Sequence, residues 1–185
     1  MSFVAPVEVP GGADSCAIPE PSDAARAART WTGPGASERQ EILRRTRSIA
    51  MVGASANPAR ASFFVATYLL SSTPYEVYFV NPRATEILGR RVYPALADLP
   101  AVPDLVDVFR RHDDLPTVLA ETLALGASTL WLQLGSWHEE VARAAQQAGL
   151  TVVMDRCVKI EHARFHGGLH LAGFDTGVIS SRRAR

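Results

Sequence analysis

Short apolar runs alternate with stretches of helical period from residue 47 to residue 165. The runs 49–52, 75–80, 105–109, 129–132 and 151–154 are rich in β-branched and aromatic residues and end in turn-forming types, so each reads as a buried strand. Between them, 61–71 sets Phe64, Val65, Tyr68 and Leu69 at helical spacing, and 115–125 and 137–148 carry the same period. Gly126 and Gly149 stop the last two helices. Asp113 or Asp114 is placed to cap the first of them and Ser136 the second. A further helix, 38–46, leads into the first strand, with Ser37 as its expected cap and Glu38 and Glu41 in its first turn. A short extended piece at 91–93 and one helical turn after Pro94 fill the connector behind the second strand. A short helix through Arg164 follows the fifth.

Strands alternating with helices of about ten residues imply a parallel sheet built from right-handed crossovers, covered on both faces. The expected fold is an α/β, doubly wound, parallel five-stranded sheet of order 3-2-1-4-5. Its ligand crevice would fall at the switch point between the first and fourth strands. Residues 1–36 hold many Pro, Gly, Ala and Ser and read as a flexible tail with a short helix near 22–30. The domain proper is 37–166. Residues 167–185, with Gly167, Gly168, Gly173 and Gly177, form a tail that lies either on the domain or on a partner.

Composition narrows the picture. With 185 residues, 47% apolar and 21% charged, the chain has the make-up of one ordinary globular domain. Zero net charge gives no electrostatic footprint for nucleic acid. No run reaches membrane-span length and no secretory pattern opens the chain, so a cytoplasmic protein is expected. Cys16 and Cys157 make neither a disulfide framework nor a metal pair. Eighteen arginines stand against one lysine, Lys159, which lowers the information in any single arginine.

In a parallel sheet the carboxyl ends of the strands share one edge, so their residues form one constellation. They are Gly53, Ala54 and Ser55; Asn81, Pro82 and Arg83; Phe109, Arg110 and Arg111; Gln133, Leu134 and Gly135; and Asp155, Arg156 and Cys157. Backbone donors, hydroxyl and amide groups and cations are present, but no nucleophile–histidine pair or general-base pair. A phosphate-bearing ligand suits such an edge, with the helix after Gly53 turning its positive end toward the anion. NAD-binding folds carry Asp or Glu at the second strand's end. Here Asn81 and Pro82 stand there and Arg83 follows. A cation suits a ribose phosphate, as in NADP or coenzyme A; alternatively Arg83 is a solvated loop residue. Cys157 lies near Arg156, Lys159 and a helix start, which would favour its thiolate; the alternative is a small core hydrophobe. Trp131 reads as core, while Trp137 lies beside the crevice. His162, His166 and His170 are four apart, but Gly167-Gly168 breaks the shared helix face, so no metal site is expected.

The motifs Val52-Gly53-Ala54-Ser55, Val80-Asn81-Pro82-Arg83, Asp107 to Arg111, Trp131 to Gly135 and Met154 to His162 resemble, in order, those of the small stand-alone bacterial CoA-binding proteins. Their Rossmann-like CoA-binding domain is similar to that of the succinyl-CoA synthetase alpha subunit. The resemblance covers 38–164, and 167–183 is also similar to their tail. It implies coenzyme A or an acyl-CoA as ligand, with the pyrophosphate region at Gly53, Ala54 and Ser55. By the same resemblance Asn81, Pro82 and Arg83 flank the adenine and 3′-phosphate, and Phe109, Arg110, Gln133 and Gly135 line the pantetheine path. Cys157 and Lys159 complete the candidate set. No reaction is implied, so a binding protein without catalysis of its own is the leading expectation. The alternatives are an NADP-dependent reductase, CoA-disulfide chemistry through Cys157, or a regulatory subunit with a protein partner or homo-oligomer.

Overall fold

The computed structural model describes residues 29–166. Most of the helix expected at 22–30, the segment 167–185, His170 and Cys16 lie outside them. The described chain runs α1 (Ala36–Arg45), β1 (Ser48–Val52), α2 (Ala61–Ser72), β2 (Glu76–Val80), β3 (Glu86–Ile87), β4 (Arg90–Tyr93), β5 (Leu105–Val108), α3 (Leu115–Leu125), β6 (Thr129–Leu132), α4 (Glu139–Gln147), β7 (Thr151–Val153) and α5 (Val158–Phe165).

Apolar alternation decides which face each residue covers. Ala50, Val52, Val106, Val108, Leu130 and Leu132 point to one side, where α3 and α4 pack. Ile49, Met51, Phe79, Leu105 and Trp131 point to the other, under α1, α2 and α5. Strands buried on both faces need apolar residues at successive positions, which explains the uninterrupted runs.

The sheet has seven strands in the order β3-β4-β2-β1-β5-β6-β7. This corrects the expected five strands and the order 3-2-1-4-5. The extended piece near 91–93 is a full partner of β2: Phe79 pairs with Val92 and Val80 with Tyr93, in parallel. It takes the place beside β2 that had been assigned to 105–109, which instead pairs with β1 as β5. With β4 counted as the third strand of the winding, the central order is the 3-2-1-4-5-6 of doubly wound folds. The switch point therefore lies between β1 and β5. The first hairpin strand, β3, was missed because two residues carry no period.

Residues 29–31 pack against the rest of the domain. Trp31 is buried in the core beside Trp137, and its Nε1 donates to Gln146 Oε1 at 2.8 Å. The Glu139 carboxylate receives the Thr30 N–H at 2.7 Å and the Thr30 hydroxyl at 2.6 Å. Three helix caps also differ from expectation. Asp114 stands at the N-cap position of α3, but its side chain makes no capping hydrogen bond. Glu38, not Ser37, satisfies the start of α1 by accepting from Gly35 N–H at 2.6 Å. His138, not Ser136, caps α4, its Nδ1 accepting from Val141 N–H.

Candidate ligand-binding site

The switch point opens into a crevice of about 860 Å³ that runs from the end of β2, past β1 and β5, to the loops after β6 and β7. Its first wall depends on Gly53. The residue has φ +83°, and a Cβ there would lie 2.4 Å from the Phe109 carbonyl oxygen. Only glycine lets β1 turn this close to the end of β5. Ser55 follows on the crevice wall, its N–H donating to Ser62 Oγ at 3.2 Å. Helix α2 then begins without a side-chain cap and without an acidic residue in its first turn. Its positive end, with Arg60 and Ser62 on the crevice wall, is a place for an anion.

At the β2 end, both the nitrogen and the oxygen of the Asn81 amide are held by the protein. Its Nδ2 donates to Ala54 O at 2.7 Å, and its Oδ1 accepts from Arg83 N–H at 2.9 Å. Asn81 thus ties the β1 and β2 loops together and sets the start of Arg83, whose side chain is exposed on the crevice. A smaller cavity of about 160 Å³ adjoins on the other side of Gly53, between Pro82, Pro94, Ala95 and Val118. Arg110 borders both cavities and pairs with Asp114 at 3.4 Å.

The far end is built by the last two strand loops. Asp155, at φ +55°, receives the Gly135 N–H on Oδ1 at 2.8 Å and the Arg29 guanidinium on Oδ2 at 2.6 Å. The Arg29 guanidinium also lies 4.0 Å above the Trp137 ring. Gln133, Trp137, Cys157 and Ile160 line this end. Burial pushes the Cys157 thiol up; Asp107 adds to the rise, and Lys159 and the first amides of α5 oppose it less strongly. Of the two readings that the sequence left open, this favours the small core hydrophobe over the thiolate.

Of the residues expected from the sequence, the structure gathers Gly53, Ser55, Asn81, Arg83, Phe109, Arg110, Gln133, Gly135 and Cys157 on the crevice. Three stand elsewhere. Ala54 is fully buried and contributes its carbonyl to Asn81. Pro82 lines the smaller cavity. Lys159 turns toward α2, its ammonium 5.8 Å from the Tyr68 ring. Arg29, Arg60, Ser62, Val65 and His112 join the crevice without having been expected there. Arg60 and Ser62 were readable as the start of α2, whereas Arg29 carried no local signal. Among the described residues no group of three or more His, Cys, Asp and Glu could hold a metal ion. His162 and His166 stack on each other at 4.0 Å.

Residues 47–163 match the family described as CoA binding domain. The chain belongs to that family. It is similar to the uncharacterized protein YneT of Bacillus subtilis (strain 168), with 38% identity over 130 residues, 70% of this chain and 96% of YneT. A hypothetical protein from Pyrococcus horikoshii OT3 is similar in structure, with a TM-score of 0.70 and 36% identity, over 75% of this chain and 100% of that one. The dinucleotide-forming acetyl-coenzyme A synthetase 1 of Ca. Korarchaeum cryptofilum, solved with phosphate and ADP, shares 26% identity at a TM-score of 0.55. That match covers 62% of this chain and 27% of the enzyme. Among the described residues no helix is long and apolar enough to cross a membrane.

Proposed function

We propose that this protein binds coenzyme A or an acyl-CoA in an extended form along the crevice, and catalyses no reaction of its own. One observation carries the reading: a single crevice joins an end with Arg60, Arg83 and Arg110 to an end with Val65, Ile160 and Cys157. A long ligand with phosphates at one end and a thiol at the other has that polarity. The pyrophosphate sits at the start of α2, beside Ser55 and Arg60. The adenine takes the smaller cavity between Pro82 and Pro94, which leaves the 3′-phosphate of the ribose to Arg83. The pantetheine arm crosses Phe109 and Gln133 toward Cys157. Asn81, whose amide is held by Ala54 and Arg83, offers no carboxylate to a ribose diol, which disfavours NAD.

Calorimetry with CoA, dephospho-CoA, NAD and NADP tests the assignment. CoA should bind tightest. Arg83→Ala should weaken CoA by about 1.5–3 kcal/mol, the range of a hydrogen bond to a charged group, and weaken dephospho-CoA little. NAD binding more tightly than CoA would overturn the reading.

A further inference from the structure

Behind Gln133, which lines the crevice, lies a buried acid that the ligand reading leaves without a task. Asp107, on β5, is fully buried. Its Oδ1 accepts from Gln133 Nε2 at 2.6 Å, and its Oδ2 is buried with no hydrogen-bond partner. An ionised carboxylate is disfavoured in such surroundings. Burial pushes Asp107 up to about 8, against a smaller opposing effect of the Gln133 bond. From β1 and β6 its register neighbours are Met51 and Trp131, neither of which titrates. At the start of α5, Cys157 meets the charge of Asp107, with Lys159 two residues on.

Gln133 joins this acid to the crevice. It is 8% exposed, and Asp107 engages one end of its amide. A carboxylate can only accept, so it holds Nε2 inward and leaves Oε1 for the crevice. A carboxylic acid can also donate. With its proton given to Oε1, the amide turns over and Nε2 faces the crevice instead.

We propose that Asp107 is a positioning residue that decides which end of the Gln133 amide a ligand meets, and that its neutral form prepares the site by presenting Nε2 to an amide carbonyl on the ligand's arm. The inference rests on the reading of the crevice as a coenzyme A site. A bound ligand removes water from above Gln133 and brings phosphate charge nearby, and both effects favour the neutral acid. The complex therefore holds its proton to higher pH than the free protein does. Binding should weaken as pH rises through the region where free Asp107 ionises.

Two measurements test this. In ligand-free protein, the side-chain amide NMR signal of Gln133 should shift with pH around a midpoint near 8, and Asp107→Asn should abolish the shift. A Gln133 signal indifferent to pH across that region overturns the proposal, whether or not any ligand binds. The second measurement is the affinity for S-methyl-CoA, which has no thiol to titrate. It should fall about tenfold as pH rises past the transition, the amount expected if binding raises the acid's pKa by about one unit. The same series with Asp107→Asn should be flat, and a wild-type profile persisting in that variant also overturns the proposal. Absence of coenzyme binding at every pH, with Gln133 titrating as expected, would sink the coenzyme reading and leave the Asp107–Gln133 coupling standing.

Discussion

The Arg29 guanidinium and the Asp155 carboxylate, 126 residues apart in sequence, meet at 2.6 Å beside the crevice. The same carboxylate receives the Gly135 N–H, so one residue fastens the N-terminal segment to the loops that follow β6 and β7. Both side chains of the pair are only 18% exposed. Removing Arg29 would leave Asp155 in a partly dry site with one partner fewer.

Arg29→Ala should therefore lower stability by about 1–3 kcal/mol in urea unfolding. The Arg143–Glu139 pair is the comparison, since the Arg143 side chain is 52% exposed. Its alanine variant should cost no more than about 1 kcal/mol, as exposed ion pairs do. Equal losses would mean that Arg29 contributes only as a surface charge.

Gly53→Ala should be among the most damaging single changes in the site. The new methyl would meet the Phe109 carbonyl at 2.4 Å in a backbone conformation that L side chains rarely adopt. Strain and overpacking together give a loss of about 2–4 kcal/mol. Any folded variant should have lost CoA affinity, because β1 and β5 must separate to admit the methyl. Wild-type stability and affinity together would refute this account of the switch point.

Acid should destabilise the protein partly through His162. Its Nδ1 meets the Tyr68 hydroxyl at 2.9 Å, and the ring is buried between Tyr75 and His166. Burial first, and the nearby His166 second, pull it down from 6.5 to about 4. The unfolded chain thus takes up a proton between those values while the folded protein refuses it. The contribution is complete above pH 6.5 and is lost as pH falls toward 4. His162→Gln, which can still bond Tyr68, should flatten that part of the stability–pH curve. An unchanged slope would assign the acid sensitivity to other groups.

Cys157 should behave as a slow thiol. Burial pushes its pKa up, and the thiolate is the attacking species. Iodoacetamide at neutral pH should label it more slowly than free cysteine, and bound CoA should slow it further by filling the crevice. CoA disulfide should form an adduct there only as the pH is raised. Rapid adduct formation at neutral pH would restore the alternative of thiol chemistry at this position.

Much of the fold is legible because its causes are local. The runs 49–52 and 129–132 are short, apolar and ended by turn residues, and they became β1 and β6. Leu115–Leu125 ends at its glycine, and Gly126 does take the left-handed conformation that ends it. The strand-end residues share one edge because parallel crossovers leave no other arrangement. By that rule Gly53, Arg83, Phe109, Gln133 and Cys157 share one crevice.

What depended on long-range pairing was not legible. The partner of β1 was decided by whether the weakly patterned piece around Val92 could dock on β2, and the energy of that edge pairing is not written in its own residues. Arg29 and Trp31 sit among prolines and glycines, and what orders them is Asp155, Trp137 and Gln146, each more than a hundred residues away. The helix start argued for a reactive Cys157, but its pKa is governed by burial, a property of packing. Asp107 reads as one polar letter in an apolar strand. Only the tertiary structure encloses it completely and sets Gln133 between it and the crevice, because solvation is decided by everything that closes around a group and not by its neighbours in the chain.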